Sequence, residues 1–234
     1  MNNLINTGIF GILTSLIAYE IGMYINKNTN ISIFNPLLIA IVLIIFFLMG
    51  FHIKYESFNI GGDIISFFLY PATVALAVPL YKEFSLFKKN VIPILTGILC
   101  GCIVGILSII AFSKIFGLSN VLIQSLIPKS ITTPIGMALS KQLGGLPSIT
   151  VIAIIITGIL GSIVGPFLFK LLKIKDKVAF GVAMGTSSHA IGTAKTMEIG
   201  ETEGAMSGLA MAISGIVTVF IAPVLWQITI MILK

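Results

Sequence analysis

Arginine is absent: all 14 basic residues are lysines. Acidic residues number only 8, and charged residues make up 9% of the 234-residue chain. An ordinary soluble domain carries roughly 25% charge, so this chain lacks the coat that a water-exposed surface needs. Hydrophobic residues at 57% and a mean hydropathy of +1.12 leave an integral membrane protein. The missing arginine, with abundant Ile, Asn and Lys, points to an AT-rich bacterial genome and a multi-pass protein of the cytoplasmic (inner) membrane.

Other scarcities exclude further classes. The two cysteines, Cys100 and Cys102, share one apolar run and point to different helix faces, which fits packing and not a metal site. The two histidines, His52 and His189, lack metal-site spacing. No G-x-S-x-G, H-E-x-x-H or P-loop pattern occurs, so neither enzyme chemistry nor a cofactor is expected. The net charge of +6 is scattered between apolar runs, whereas a nucleic-acid partner requires a clustered basic face. The first apolar run follows no basic stretch and reaches spanning length, so no cleavable signal peptide is expected.

What is present is a series of apolar runs. A hydrocarbon core of ~30 Å takes about 20 apolar residues per helix. Six runs approach or exceed that length: 6–26, 33–51, 64–81, 90–113, 148–169 and 205–233. Two other segments, 120–145 and 178–203, are apolar at their ends but rich in Gly, Pro, Ser and Thr between. Pro and Gly disfavour a helix interior by ~3 and ~1 kcal/mol relative to Ala. Non-helical backbone at membrane depth must be buried in protein or line an aqueous cavity. Both segments therefore read as broken or re-entrant hairpins.

The two segments resemble each other. At an offset of 56, Ile135-Gly136-x-Ala138 aligns with Ile191-Gly192-x-Ala194, and Gly144 with Gly200. At an offset of 57, Gly158-Ile159 aligns with Gly215-Ile216, and Pro166-x-Leu168 with Pro223-x-Leu225. A hairpin-plus-helix unit used twice is a transporter pattern. Lys82, Lys88 and Lys89 lie in one loop, and Lys170, Lys173, Lys175 and Lys177 in another. Both are cytoplasmic by the positive-inside rule only if 120–145 returns to its own side. The expected fold is an all-α membrane protein of about six transmembrane helices plus two re-entrant or broken helical hairpins, arranged as an inverted repeat. Residues 1–114 would form a four-helix scaffold region, and 115–234 a transport region of two hairpin-plus-helix units.

The hairpin centres carry the chemistry. The first reads Pro128-Lys129-Ser130-Ile131-Thr132-Thr133-Pro134, the second Gly185-Thr186-Ser187-Ser188-His189-Ala190-Ile191-Gly192-Thr193. Entering from opposite faces, they would meet near the midplane, where an ammonium, hydroxyls and free backbone N–H groups form an anion site. Lysine within a bilayer costs ~2.5–3.5 kcal/mol on the lenient insertion scale, so Lys129 is a functional candidate. The bland reading places it in a surface loop. The complementary ligand is a small carboxylate, its neighbouring hydroxyl or keto oxygen read by Ser130, Thr132, Thr133, Thr186, Ser187, Ser188, Gly192 and Thr193. Those hydroxyls serve equally to re-satisfy broken-helix backbone. His189 is the proton-coupling candidate, or else a packing histidine.

Lys195 and Glu198 pair on a helical limb, Glu201 and Glu203 read as a solvated rim, and Glu20 snorkels or pairs near a helix end. Pro71 and Pro79 lie eight residues apart in the run 64–81 and kink it, as a hinge or for packing. Pro134 ends the first centre and is likewise a hinge or packing residue.

The ordered motifs resemble the LrgB/CidB family of bacterial membrane proteins. They are Pro71-Ala-Thr-Val-Ala-Leu-Ala with Pro79-Leu-Tyr, Lys129-Ser-Ile-Thr-Thr-Pro-Ile, Gly144-Gly145-x-Pro147, Thr157-Gly-Ile-Leu-Gly and Gly185-Thr-Ser-Ser-His-Ala-Ile-Gly-Thr-Ala. Tyr70, Gly136 and Ser187 depart from it, standing where Gly, Ala and Ala are usual. The resemblance implies an antiholin-like protein tied to murein hydrolase activity, lysis and programmed cell death. It also implies a small LrgA/CidA-type membrane partner. Similar proteins include pyruvate transport components and the plastid glycolate/glycerate translocator. Two functions follow: a carrier for pyruvate-, glycolate- or glycerate-type monocarboxylates, which the polar hairpins favour, and an antiholin-like regulator. A homo-oligomer, with a dimer first, is expected in the bilayer.

Overall fold

A computed structural model of the chain describes residues 6–29, 34–68, 71, 74–75 and 77–232. Every regular element among them is a helix. The chain divides into two compact units, Met1–Ala75 and Leu76–Lys234.

The first unit holds α1 (Gly8–Thr29), α2 (Pro36–Gly50) and α3 (Tyr55–Phe67). Asn35 starts α2, its side-chain oxygen accepting from Leu37 N at 2.9 Å, and Pro36 fits the first turn. In place of a helix starting after Asp63, α3 begins at Tyr55 and takes Asp63 inside. Tyr55 donates to Asn59 at 3.0 Å and Asn59 to Asp63 at 3.1 Å, so the polar residues satisfy one another along one face. Gly61 is buried on α1: a Cβ there would lie 2.5 Å from Gly8 O and 2.6 Å from Gly11 Cα. Small residues are what allow such close helix approach. The rest of the expected 64–81 span falls partly outside the described residues. Pro71 is exposed.

The second unit contains α4 (Ala77–Lys82), which includes Pro79, α5 (Phe84–Lys89), α6 (Val91–Ile115), α7 (Asn120–Leu126) and α8 (Thr133–Leu143). It continues with α9 (Pro147–Leu171), α10 (Lys177–Ile199) and α11 (Glu201–Ile232). Among the described residues four helices are long and apolar enough to cross a membrane: α1, α6, α9 and α11. The apolar α2 has 15 residues, short of the ~20 a full crossing takes.

Two chain reversals organise this unit. Helix stops after α7 and resumes at Thr133, with Lys129 in the gap. Beyond α8, Gly144 adopts φ +90°, a left-handed C-cap that glycine takes without strain. The chain then comes back to where it left: Leu146 N donates to Ser125 Oγ at 2.7 Å, and Thr150 Oγ1 donates to Ser125 O at 2.8 Å. The second reversal lies inside α10, where His189 has φ 42° and ψ −135°. A Cβ on Gly192 would lie 2.9 Å from Met184 O, whereas eight residues of straight helix separate such groups by about 12 Å. The limb 190–199 therefore folds back on 177–188. Next, α11 runs beside the first limb, Glu203 O lying 2.5 Å from where a Gly181 Cβ would be.

Apolar packing surrounds both turns. Ile106, Ile110, Ile123, Ile127, Ile131, Leu139, Ala222 and Trp226 form one cluster, joining α6, the α7–α8 pair and α11. Ile94, Ile98, Cys102, Val182, Ala205, Met206 and Ala210 form another, joining α6, the first limb of α10 and α11.

Candidate functional site

Three helices of the second unit and the α7–α8 turn line an open cavity of about 1080 Å³. Its walls use small residues: Gly97, Gly101 and Gly105 on α6, and Gly161 and Gly165 on α9. These stand four apart, hence on one helix face. The facing limb of α10 fills the space they leave. A Cβ on Gly161 would meet Ser188 Oγ, one on Gly165 would meet Met184 Sδ, and one on Gly101 would lie 3.0 Å from Thr186 Cγ2.

The cavity has distinct ends. Asn90, Leu168 and Asp176 line one, while Gly105, Thr157, Ser188, Lys129 and Ser130 line the other. Fifteen residues of α6, from Asn90 to Gly105, span about 22 Å. Lys88 and Lys89 immediately precede Asn90, and Lys170, Lys173, Lys175 and Lys177 flank the other chain segments at that end. All six are exposed. Asp176 is already engaged, accepting from Ala179 N at 2.7 Å as the N-cap of α10.

At the end lined by Gly105 and Thr157, Lys129 is half-buried, and its Nζ donates to Ser130 Oγ at 3.2 Å. An ammonium has three donors, so this contact alone does not exhaust it. Ser187 Oγ donates to Ala183 O at 2.7 Å and lies 3.0 Å from Ser188 Oγ. Thr186 is 8% exposed, and its Oγ1 has no hydrogen-bond partner among the described residues. Leaving a buried donor unpaired costs ~1–3 kcal/mol.

Lys129, Ser130, Thr186, Ser187 and Ser188 thus share the cavity wall, and the other expected site residues lie off it. His189 is 3% exposed, with Nε2 at 2.9 Å from Ile154 O. Because a carbonyl only accepts, Nε2 carries the proton. Thr193 Oγ1 donates to His189 O at 2.9 Å and is 2.9 Å from Ser207 Oγ, while Gly192 packs on the first limb. Thr132 is the N-cap residue of α8, without a side-chain cap bond. Thr133 is half-buried and Pro134, in the first turn of α8, is exposed.

The rim expectation holds for Glu201, which is exposed and pairs with Lys82 at 2.8 Å. That carboxylate holds the Lys82 ammonium above the usual lysine range. It fails for Glu203, which is 7% exposed. Its carboxylate folds over Gly200, its Oε1 lies 3.8 Å from Lys177 Nζ, and its Oε2 has no hydrogen-bond partner among the described residues. The readable signal was Glu203 standing three residues after Gly200 at a helix start, where a carboxylate turns back toward the chain. Lys195 and Glu198 pair at 2.8 Å as expected. The glycine walls and Thr157 were missed, although the four-residue glycine spacing was there to see.

Comparison with known proteins gives a consistent picture. The sequence profile of the LrgB-like family matches residues 15–228. The chain is 40% identical over 216 residues to uncharacterized protein YxaC of Bacillus subtilis (strain 168), covering 92% of this chain and 94% of that protein. It is 39% identical over 218 residues to antiholin-like protein LrgB of Bacillus cereus (strain B4264), covering 93% of this chain and 95% of the relative. The protein of that name in Bacillus anthracis (strain CDC 684 / NRRL 3495) matches with the same identity and coverage. No solved structure matches the chain.

Proposed function

The chain belongs to the LrgB-like family, and from that premise we propose that it is a membrane carrier for small 2-hydroxy or 2-keto monocarboxylates of the pyruvate, glycolate or glycerate type. The observation that carries this reading is the cavity wall shared by Lys129, at one chain reversal, and Thr186–Ser188, beside the other. Lys129 holds the carboxylate, since an ammonium with donors to spare at a cavity in an apolar protein is complementary to a small anion. Ser130 and the Thr186–Ser188 hydroxyls orient it. Thr132 and Thr133 stand where the α8 backbone begins, and Gly192 and Thr193 brace the second turn. His189 is the candidate for a coupled proton: with Nε2 tied to Ile154, Nδ1 is the nitrogen that changes state.

In this reading α7–α8 and α10 are re-entrant hairpins entering from opposite faces. Each precedes a crossing helix, α9 or α11, and together they form the inverted repeat. The fold-back at Ser125 and at Met184 supports it, as do Pro166 and Pro223 inside the two following helices. With these and six spans, the 115–234 region rocks or slides against 1–114 in the bacterial inner membrane. A homodimer and a small LrgA/CidA-type partner complete the proposal.

The name shared by the Bacillus cereus and Bacillus anthracis relatives favours a second reading. There the chain is an antiholin-like regulator of murein hydrolase activity, lysis and programmed cell death. The names support that reading at least as well as the cavity supports the carrier. Uptake of labelled pyruvate or glycolate into proteoliposomes separates the two. Saturable flux abolished by Lys129→Ala supports the carrier. Unselective dye leakage that ignores this substitution supports a holin-class protein. Flux unchanged in both Lys129→Ala and His189→Ala overturns the site.

A further inference from the structure

We propose that the open cavity is a groove for one anionic phospholipid. Its phosphate lies among the lysines at the Asn90 end, and an acyl chain runs between α6 and α9 toward Lys129. This does not depend on what the chain transports. Pockets of about 300–1,000 Å³ take drug-sized ligands, so a cavity of about 1080 Å³ is far larger than a three-carbon acid requires. Its wall is also apolar over most of its length, formed by Pro93, Ile94, Leu160, Val164, Leu168 and Val182 with glycines between them. From Pro93 to Gly105 this wall runs along α6 for about 18 Å. One leaflet of a ~30 Å hydrocarbon core is about 15 Å deep, the depth that a single lipid chain covers. Nothing crowds the groove from within at two points. A Cβ on Gly97 would lie 3.8 Å from Val182 Cγ1, and one on Gly105 would meet no atom within 4 Å.

Charge at the mouth selects the occupant. Lys89, Lys170, Lys173 and Lys175 are exposed and make no ion pair among the described residues. Lys88 Nζ lies 4.9 Å from the Phe84 ring centroid, and Lys177 faces Glu203. The acidic side chain lining this end, Asp176, is turned onto Ala179 N and is outnumbered by the lysines. The positive-inside rule puts such a lysine-rich end in the cytoplasmic leaflet. Basic pockets between membrane helices on that side hold anionic lipid headgroups. A zwitterionic headgroup sets its own ammonium against its phosphate and gains less from the same lysines. An apolar trough of one-leaflet depth, with unpaired ammonium groups at its mouth, is therefore complementary to a lipid with a net negative head.

The test is native mass spectrometry of the full chain in detergent, titrated with phosphatidylglycerol or with phosphatidylcholine of the same acyl chains. Wild type should retain one phosphatidylglycerol per chain and hold it more tightly than phosphatidylcholine. A lysine near a membrane surface contributes about fivefold to the binding of an anionic lipid. The double variant Lys89→Gln, Lys170→Gln should therefore weaken phosphatidylglycerol about thirtyfold and leave phosphatidylcholine unchanged. Gly97→Leu, which fills the groove where its Cβ has room, should lower retention of both lipids while unfolding near the wild-type temperature. Gly105→Leu serves the same purpose if Gly97→Leu proves less stable. Equal retention of the two lipids by wild type overturns the proposal. So does phosphatidylglycerol binding that survives a filled groove, or that glycerol phosphate alone displaces, since the chain would then lie elsewhere. Retention of palmitate in preference to phosphatidylglycerol would put the acid group at Lys129 and overturn it as well.

Discussion

His189 donates through Nε2 to the carbonyl oxygen of Ile154 at 2.9 Å, tying the reversal of α10 to the first half of α9. The fit depends on Gly158, where a Cβ would lie 2.7 Å from His189 Cε1 and 3.0 Å from Nε2. Overfilling a packed site costs typically ~1–3 kcal/mol. Gly158→Val should therefore lower the unfolding temperature in detergent by several degrees. Gly105→Ala, where no atom lies within 4 Å of the added carbon, should leave it unchanged or raise it. Equal behaviour of the two variants would show that the tie between α9 and α10 is not tight.

Glu203 and Lys177 should respond asymmetrically to replacement. The carboxylate side chain is 9% exposed and the ammonium side chain 66%. Removing Glu203 leaves a solvated lysine, whereas removing Lys177 leaves a buried charge with no counter-charge. Charge at a helix N-terminus is worth ~0.3–1 kcal/mol, less than the ~1–3 kcal/mol cost of an unpaired buried oxygen. Glu203→Met should thus match or exceed wild type in thermal stability, and Lys177→Gln should lose about 1 kcal/mol. Greater damage from Glu203→Met would mean that the carboxylate has a stabilising partner.

The six lysines near Asn90 and Asp176 should act on anion capture. Clustered charge raises the local concentration of an opposite ion, and salt screens it with a Debye length of ~10 Å at 0.1 M. Replacing Lys173 and Lys175 by Gln should raise the apparent KM for pyruvate severalfold and leave the saturating rate near wild type. Arg at the same positions should preserve KM. Added salt should raise the wild-type KM and affect the Gln variant less. A KM insensitive to both charge and salt removes the lysines from substrate capture.

Much of the helical plan was legible because apolar run length tracks the hydrocarbon thickness. The runs 90–113, 148–169 and 205–233 correspond to α6, α9 and α11 within a few residues. The breaks were legible too, since polar, Gly- and Pro-rich sequence at 128–134 and 185–193 cannot continue a membrane helix at low cost. What composition concealed was polarity satisfied locally. Asp63 looked like a boundary, yet Asn59 and Tyr55 let α3 run through it. Glu203 looked like a surface residue, and the absence of a side chain at Gly200 lets it turn inward. Within the candidate site, residue types identified Lys129 and the hydroxyls. They could not tell that Thr186 lacks a partner while Thr193 has one, because that depends on which helix lies opposite. Only packing separates Gly101 from Ser207 as neighbours.

Titration calorimetry of the purified protein with pyruvate, repeated with Lys129→Ala and Lys129→Arg, bears most directly on Lys129 as the anion-binding group. Saturable binding by wild type, weakened but measurable binding by Lys129→Arg, and none by Lys129→Ala is the predicted outcome. Binding of equal affinity in Lys129→Ala would contradict it.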